Sequence, residues 1–285
     1  MIAVTGASGH LGRLVVKELL KTMPAREVVA LARQASSVED LRGLGVTTRE
    51  ADYDQPDTLV KAFEGVGKLL LVSSVIPGQR LGHHKAVIDS AKKAGVKAVA
   101  YTSLLRADSS TLNLAEEHKR SEDYLRESAL EHVILRNGWY LENTTSALAS
   151  AVQGTIVGCS GQGRYASASR ADYAGAAAVV LTQPGHANKT YELAGDASFS
   201  MAEFAHEASC LTGSTVVYRD LPPDEYRAIL IGAGMPPMFV DVLVDSGLKA
   251  ARGELESYSR DLSRLLGRPT TPLPAAIQAT LDQTR

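Results

Sequence analysis

Closely spaced glycines near the start of the chain could hold a phosphate group against the backbone. They are Gly6, Gly9 and Gly12; an apolar stretch precedes them, and apolar residues at helical spacing follow them. In a strand–turn–helix unit, such glycines permit a tight turn, close approach of a dinucleotide pyrophosphate and close packing of helix on strand. The spacing therefore predicts a dinucleotide site at the start of a helix. A glycine-rich turn in another α/β fold is the alternative interpretation.

Arg33 follows the second predicted strand, residues 28–31. Proteins that bind NAD usually carry Asp or Glu at the end of this strand, where it holds the ribose 2′-hydroxyl. No acidic residue stands there, and a guanidinium has the planar shape that suits phosphate oxygens. Arg33 therefore predicts a 2′-phosphate ligand, and thus NADPH as the cofactor. A solvent-exposed arginine without a ligand is the alternative.

Composition and charge exclude several functional classes. The chain has 285 residues, of which 45% are hydrophobic, and a formal net charge of −2 at pH 7. This composition is typical of a globular protein with one or two domains. The absence of a long basic run argues against nucleic acid or an anionic membrane as partner. Cys159 and Cys210 are far apart and form no metal-binding motif, so we expect a reduced cytoplasmic protein without a metal, a signal peptide or a membrane span.

Strands and helices alternate through the first half of the chain. After the strand at 28–31, the pattern predicts strands at 45–50, 69–72, 96–101 and 132–135. It predicts helices beginning at 56, 83 and 114, the last a charged helix that ends near 128. Apolar strands that alternate with helices indicate an α/β fold, a Rossmann doubly wound parallel sheet covered on both faces.

The second half is less regular and mostly helical. The pattern predicts helices at 142–152, 172–181, 201–212, 223–231, 237–249 and 259–266, and strands at 155–157 and 189–193. We expect an NADP-binding Rossmann domain at residues 1–182 and a smaller, mostly helical C-terminal substrate domain at 183–285. The assignment of the helix at 141–154 to one domain or the other stays open.

Residues that follow the predicted strands are candidates for ligand contacts, because ligands bind beyond the carboxyl ends of a doubly wound sheet. These residues lie at 73–75, 102–104 and 136–140. The last group contains Trp139 and Tyr140, whose rings could wall a nicotinamide or a flat substrate. Both residues could equally form part of a core between domains.

Several segments together resemble the NmrA-like branch of the atypical short-chain dehydrogenases, over essentially the whole length. They are Thr-Gly-Ala-Ser-Gly-His-Leu-Gly at 5–12, Arg33, Ala-Asp-Tyr at 51–53, Tyr-Thr-Ser at 101–103, Arg-Asn-Gly-Trp-Tyr-Leu-Glu-Asn at 136–143, and Ser-Arg-Ala-Asp-Tyr at 169–173. The resemblance implies a Rossmann domain that binds NADPH and hydride transfer to a quinone or another conjugated acceptor. The sequence leaves open whether the protein is a monomer or a homodimer.

The resemblance also implies which residues contact the cofactor. Residues of the glycine turn would lie at the pyrophosphate, Arg33 at the 2′-phosphate, and two later segments along the ribose and nicotinamide. The residues implied are Gly6, Ala7, Ser8, Gly9, His10, Leu11, Arg33, Ser73, Ser74, Val75, Asn137, Gly138, Trp139, Tyr140, Leu141, Glu142 and, less closely matched, Arg170.

The chain departs from this family at one motif. Short-chain dehydrogenases usually carry Tyr-x-x-x-Lys on the helix after the fifth strand, whereas this helix carries His118 and Glu122 four residues apart. His118 could donate a proton near neutral pH, or the two residues could form an ion pair on a solvated helix face, which we favour. Tyr140 is a second catalytic candidate, and the sequence does not decide the catalytic residues.

The missing Tyr-x-x-x-Lys pair bears on the substrate. Reduction of a ketone produces a strongly basic alkoxide and needs a positioned acid. Reduction of a quinone produces a stabilised hydroquinone anion that water can protonate. The sequence therefore favours a quinone acceptor over a ketone, and it argues against a nucleotide-sugar epimerase. A redox sensor that binds NADP without turnover is the alternative function.

Overall fold

The computed structural model describes residues 1–150 and 154–283. The strands are β1 (Ile2–Val4), β2 (Val28–Ala32), β3 (Thr47–Glu50), β4 (Lys68–Leu71), β5 (Ala98–Leu104), β6 (Glu131–Asn137), β7 (Thr155–Gly158), β8 (Arg164–Tyr165), β9 (Lys189–Leu193), β10 (Phe199–Ser200) and β11 (Val217–Asp220). The helices are α1 (His10–Leu19), α2 (Glu39–Gly43), α3 (Pro56–Ala62), α4 (Arg80–Lys93), α5 (Ala115–Glu127), α6 (Leu141–Thr145), α7 (Ala147–Ser150), α8 (Arg170–Thr182), α9 (Met201–Thr212), α10 (Pro223–Gly232), α11 (Pro237–Ala250), α12 (Asp261–Leu266) and α13 (Leu273–Gln283).

The chain forms two compact units that interleave along the sequence. The first unit comprises Met1–Asp108, Glu116–Asn137 and Arg170–Glu192, and the second comprises Ser109–Ala115, Gly138–Ser169 and Leu193–Arg285. The division predicted after residue 182 stays a prediction; in the structure, residues 109–115 and 138–169 group with the C-terminal part. Among the described residues, no helix combines the length and apolar character that crossing a membrane requires.

A seven-stranded sheet organises the first unit, in the order β3-β2-β1-β4-β5-β6-β9. Every pairing from β3 to β6 is parallel. The residues of β1 and β2 are all buried, which is expected of parallel strands that carry helices on both faces. The predicted Rossmann doubly wound sheet is therefore confirmed. Its parallel arrangement brings the carboxyl ends of β1, β2, β4, β5 and β6 to one edge of the sheet.

Alternation along the strands explains the core of the first unit. Alternate strand residues such as Ala3, Val29 and Leu69 point to the same face, because side chains repeat with a period of two. On that face they pack with apolar residues of α3, α4 and α5, including Leu59 and Leu125. Helix α1 packs against α8. This core therefore stabilises the sheet whose carboxyl edge carries the predicted ligand residues.

In the second unit, strand β11 pairs in parallel with β7, and β10 pairs antiparallel with β8. Strand β11 was not predicted, because its residues Val-Tyr-Arg-Asp lack an apolar period and are mostly exposed. Pairing with β7 decides its conformation instead. The helix predicted at 142–152 corresponds to α6 and α7, and its residues 151 and 152 lie outside the described residues. Helices α2 and α13 were also not predicted.

Candidate cofactor and catalytic site

The glycine turn connects β1 to α1 in the first unit. Gly6 has a φ of +59°, a conformation that favours glycine. The Gly9 N–H donates to the Gly6 carbonyl oxygen at 2.9 Å, which closes the turn. A Cβ on Gly12 would lie 2.4 Å from that same oxygen, so only glycine allows α1 to approach the turn this closely. Gly6 therefore has a conformational reason and Gly12 a packing reason to be glycine, as the predicted motif requires.

The start of α1 suits a phosphate ligand. Its N-cap residue, Gly9, supplies no side-chain hydrogen bond, and the first turn contains no acidic residue. The first backbone N–H groups of α1 are therefore available to an anion, which the helix dipole also favours. Ser8, Gly9 and His10 are exposed, whereas Ala7 and Leu11 pack inward. The residues present thus fit the pyrophosphate of a dinucleotide.

Arg33 lies directly after the carboxyl end of β2 and is exposed. Its guanidinium makes no hydrogen bond or ion pair within residues 1–150 and 154–283. Arg13, by contrast, is bound to Asp40 and to the carbonyl oxygen of Ser37. Arg33 is therefore a cation that no described residue pairs, at the position where the 2′-phosphate is expected.

The loop after β4 carries the predicted residues Ser73, Ser74 and Val75. The Ser73 N–H donates to the Thr102 hydroxyl at 2.9 Å, and the Arg80 Nε donates to the Ser74 carbonyl oxygen at 3.0 Å. Val75 is 73% exposed although it is apolar. Neighbouring elements thus hold the loop backbone, while an apolar side chain remains accessible to a ligand.

His83 and His84 bind the same loop from the first turns of α4. His83 Nδ1 lies 2.8 Å from the Ser74 hydroxyl, and His84 Nε2 accepts the Ser74 N–H at 3.0 Å. Since Nε2 is an acceptor, His84 carries its hydrogen on Nδ1, which lies 2.9 Å from the Ser121 hydroxyl. Burial, assisted by the positive charge of Arg80, lowers the pKa of His84 to about 3.

This low pKa predicts a loss of stability in acid. Below pH 6.5 the unfolded chain binds a proton at His84 that the folded chain excludes down to about pH 3, so stability falls as pH falls. The contribution of one such group is about 1.4 kcal/mol per pH unit within this window. Urea titrations between pH 6.5 and 4.5 measure the free energy of unfolding at each pH. We expect this free energy to fall less steeply with decreasing pH in His84→Gln than in the wild type. Parallel pH profiles of the two proteins would contradict this assignment.

The structure corrects the interpretation of His118 and Glu122. His118 is only 6% exposed and Glu122 is fully buried, so the favoured ion pair on a solvated helix face is wrong. His118 Nδ1 lies 2.7 Å from the Tyr101 hydroxyl oxygen, whereas Glu122 binds Arg136 and Ser103. Burial and the nearby Arg80 lower the pKa of His118 well below its usual value, so its ring is neutral near pH 7.

Arg136 is the centre of a buried ionic cluster that the sequence did not reveal. Its guanidinium donates to Glu122 at 2.9 and 2.7 Å and to Glu192 at 2.7 Å, and it forms an ion pair with Asp108 at 2.9 Å. These partners come from α5, β9 and the segment after β5. The only sequence signal was an arginine directly after the predicted strand at 132–135, and a charged residue is seldom buried unless it is paired.

Asn137, the last residue of β6, is a predicted cofactor residue with an unused hydrogen-bonding atom. It is 5% exposed, and its side-chain oxygen is buried without a partner among residues 1–150 and 154–283. Buried polar atoms are nearly always paired, so an unpaired one at this edge of the sheet is consistent with a polar ligand. Arg170, another predicted cofactor residue, begins α8 and is half-buried.

The predicted segment 138–142 belongs to the second unit. Its backbone is held by bonds between the Gly138 N–H and the Leu193 carbonyl oxygen and between the Leu141 N–H and the Ala168 carbonyl oxygen. Trp139 and Tyr140 are half-buried, as is Glu142, and Leu141 is buried. Roles of these residues toward the cofactor, and of Tyr140 in catalysis, stay predictions.

The first unit brings most of the other predicted residues to one edge of its sheet. The glycine turn, Arg33 and the loop 73–75 follow β1, β2 and β4, and Asn137 ends β6. Tyr101 lies on β5 and binds His118 of α5. Within the described residues, no group of three His, Cys, Asp or Glu side chains could hold a metal ion. The arrangement can therefore hold a phosphorylated ligand at this edge of the sheet.

Comparisons with known proteins agree with this geometry. Residues 6–184 match the model of a family described as NAD(P)H-binding. Quinone oxidoreductase 2 of Escherichia coli is 45% identical to this chain, with 97% of each chain covered. The crystal structure of the NADPH-dependent quinone oxidoreductase QOR2 of Escherichia coli, complexed with NADPH, is 43% identical, with a TM-score of 0.94 and complete coverage of both chains.

A second solved structure is similar over nearly the full length. It is the Citrobacter sp. triphenylmethane reductase complexed with NADP(H), at 36% identity and a TM-score of 0.94, covering 98% of this chain and 100% of that one. The whole Rossmann unit and most of the second unit are thus shared with these proteins. The chain therefore belongs to the NmrA-like family of NAD(P)H-binding proteins.

Proposed function

We propose that this protein is an oxidoreductase that transfers a hydride from NADPH to a quinone or a similar conjugated acceptor. The observation that carries the proposal is the 45% identity to quinone oxidoreductase 2, which extends over 97% of both chains. Independent support comes from the site, where a glycine turn suited to a pyrophosphate and the unpartnered cation of Arg33 lie at the same edge of the sheet.

The residues of the chain would act mainly by binding and orientation. When bound, NADPH supplies the hydride; the protein supplies the geometry. We assign the N–H groups at the start of α1 to the pyrophosphate, Arg33 to the 2′-phosphate, and the loop 73–75 with Asn137 to the ribose and nicotinamide. Hydride transfer needs donor and acceptor atoms about 3–3.5 Å apart, so the rigid attachment of this loop contributes to the rate. Both cysteines are free thiols, which supports our assignment to a reducing cytoplasm.

The role of Arg33 leads to a prediction about cofactor choice. Arg33→Ala should raise the dissociation constant for NADPH by about tenfold to a hundredfold, because a charge-assisted hydrogen bond contributes roughly 1.5–3 kcal/mol. The constant for NADH should barely change, since NADH has no 2′-phosphate. Calorimetric titration of both cofactors into both proteins measures the effect. Equal losses for NADPH and NADH would exclude the assignment.

Anaerobic stopped-flow spectroscopy tests the proposed reaction. With purified protein, NADPH and menadione, we expect NADPH oxidation to match hydroquinone formation in rate and amount, without a semiquinone signal. Tight binding of NADPH without turnover of menadione or related quinones would instead support the sensor alternative. A semiquinone intermediate would exclude direct two-electron transfer.

A further inference from the structure

The imidazole of His118 has one nitrogen that no described residue contacts with a hydrogen bond. His118 is 6% exposed, and its Nδ1 lies 2.7 Å from the Tyr101 hydroxyl oxygen. Across the described residues, His118 makes no further hydrogen bond or ion pair. The Nε2 atom is not fully enclosed and retains accessible surface. A buried ring thus presents a single polar edge to an accessible space.

The contact with Tyr101 bears on the tautomer of the His118 ring, that is, on which ring nitrogen carries the hydrogen. The Tyr101 side chain is fully buried, and burial raises its pKa, so the hydroxyl keeps its proton. His118 Nδ1 is within hydrogen-bond distance of that hydroxyl, and the Ser73 and Ser121 hydroxyls are its other polar neighbours. The Ser73 hydroxyl already accepts the Arg80 Nε–H, and the Ser121 hydroxyl already accepts from His84 Nδ1 and donates to the Glu117 carbonyl oxygen. An imidazole nitrogen accepts hydrogen bonds more strongly than a hydroxyl oxygen does, so donation from Tyr101 to Nδ1 is the favoured arrangement, and it leaves the hydrogen of the neutral ring on Nε2.

Burial, assisted by the positive charge of Arg80, lowers the pKa of His118 and keeps the ring neutral. Arg80 and His84 face it from α4, and Tyr101 faces it from β5. On its own helix, Glu117 is paired with Arg80 at 2.9 Å and Glu122 with Arg136, so neither carboxylate compensates a charge on His118. A neutral imidazole with a hydrogen on Nε2 can donate a hydrogen bond without transferring its proton. Such a donor stabilises negative charge that develops on an oxygen atom.

The location connects this donor to the proposed reaction. Tyr101 directly precedes Thr102, whose hydroxyl accepts the N–H of Ser73 in the proposed cofactor loop. We propose that His118 Nε2–H is the hydrogen-bond donor to the acceptor oxygen on which negative charge develops, and that Tyr101 is the residue that positions it. This inference rests on the proposed quinone reductase function and names the group that stabilises its anionic product.

The electrons and protons of the step balance without an acid from the protein. NADPH gives up a hydride, which is one proton with two electrons, and becomes NADP⁺; the quinone accepts the hydride. One quinone oxygen then carries the charge of the hydroquinone anion. His118 holds a hydrogen bond to that oxygen, and water later supplies the second proton. The step therefore agrees with the absence of the Tyr-x-x-x-Lys pair.

Substitution of His118 tests the proposal. His118→Phe should lower kcat with menadione by about 10²–10³-fold, the usual effect of removing one such donor, and should leave the dissociation constant for NADPH unchanged. His118→Gln, whose amide can donate, should recover part of the rate. His206→Phe, at an exposed histidine of α9, is the matched control and should retain full activity.

A merely structural role would not depend on the chemistry of the acceptor. We therefore compare wild type and His118→Phe with 1,4-naphthoquinones whose hydroquinones differ in acidity. The loss should grow as the hydroquinone anion becomes more basic, and Tyr101→Phe should show a smaller loss of the same dependence. A loss independent of acidity, or no loss in His118→Phe while the wild type turns over, would overturn the proposal.

Nuclear magnetic resonance of the imidazole tests the donor without turnover. With ¹⁵N-labelled histidine, the signal that disappears in His118→Phe should be that of a neutral ring with its hydrogen on Nε2 from pH 5.5 to 8. A ring that gains a proton in this range, or that carries its hydrogen on Nδ1, would exclude the assignment. Absent turnover of the wild type would refute the proposed function alone, because the tautomer is measured separately.

Discussion

Arg136→Met is expected to lower the free energy of unfolding by about 3–5 kcal/mol, because it leaves a buried carboxylate without its main partner. Arg136 binds Glu122 through two nitrogens, at 2.9 and 2.7 Å, and Glu122 has no exposed surface. Burial opposes the charge of Arg136, but its carboxylate partners outweigh that effect and raise its pKa. Urea unfolding at pH 7, followed by circular dichroism, measures the loss.

Arg126→Met is the matched control for this experiment. Arg126 binds the same carboxylate, Glu122, at 2.9 Å, but its side chain is 38% exposed. Exposed ion pairs contribute about 0–1 kcal/mol, so this variant should lose little stability. If the two variants lost equal amounts of stability, the number of ion pairs on Glu122 rather than the burial of Arg136 would control stability.

For Arg136→Met, we expect activity to fall in proportion to the loss of folded protein, since the cluster touches no proposed ligand atom.

Gly12→Ala should weaken NADPH binding more than about a hundredfold and destabilise the fold by about 3 kcal/mol. The added Cβ would lie 2.4 Å from the Gly6 carbonyl oxygen and 2.8 Å from the Gly6 carbonyl carbon. Both are backbone atoms, so relief requires movement of the turn or of α1. Movement of either would displace the N–H groups assigned to the pyrophosphate. Calorimetric titration of NADPH and thermal unfolding measure the two effects.

Gly82→Ala separates this clash from the general effect of replacing a glycine in a helix. Gly82 lies in α4, and a Cβ there would meet no atom within 4 Å. Replacing an unconstrained helical glycine by alanine stabilises a helix by roughly 0.5–1 kcal/mol. The control should therefore be as stable as the wild type or slightly more stable, and it should bind NADPH normally. Normal NADPH binding by Gly12→Ala would show that the turn does not hold the cofactor.

The glycine turn and the sheet were predictable because their causes are local. Gly6 needs a positive φ, and the apolar strands need cover on both faces; both requirements can be recognised from residue types along the chain. Strand β5 was predicted to end at 101, but it continues to Leu104 because it pairs with β6 through Leu104 and Asn137. That extension depends on a partner strand about thirty residues away and has no local signal.

The sequence by itself determined the class of this protein, because the alternating strands and helices of the parallel sheet and the glycine turn after its first strand have local causes. Only the tertiary structure decided the state of His118 and Glu122. Four-residue spacing places both on one helix face, but their partners, Tyr101 and Arg136, come from β5 and β6. Because burial and partners from distant segments control the charge of a side chain, the pair expected on a solvated helix face is a neutral imidazole and a buried carboxylate.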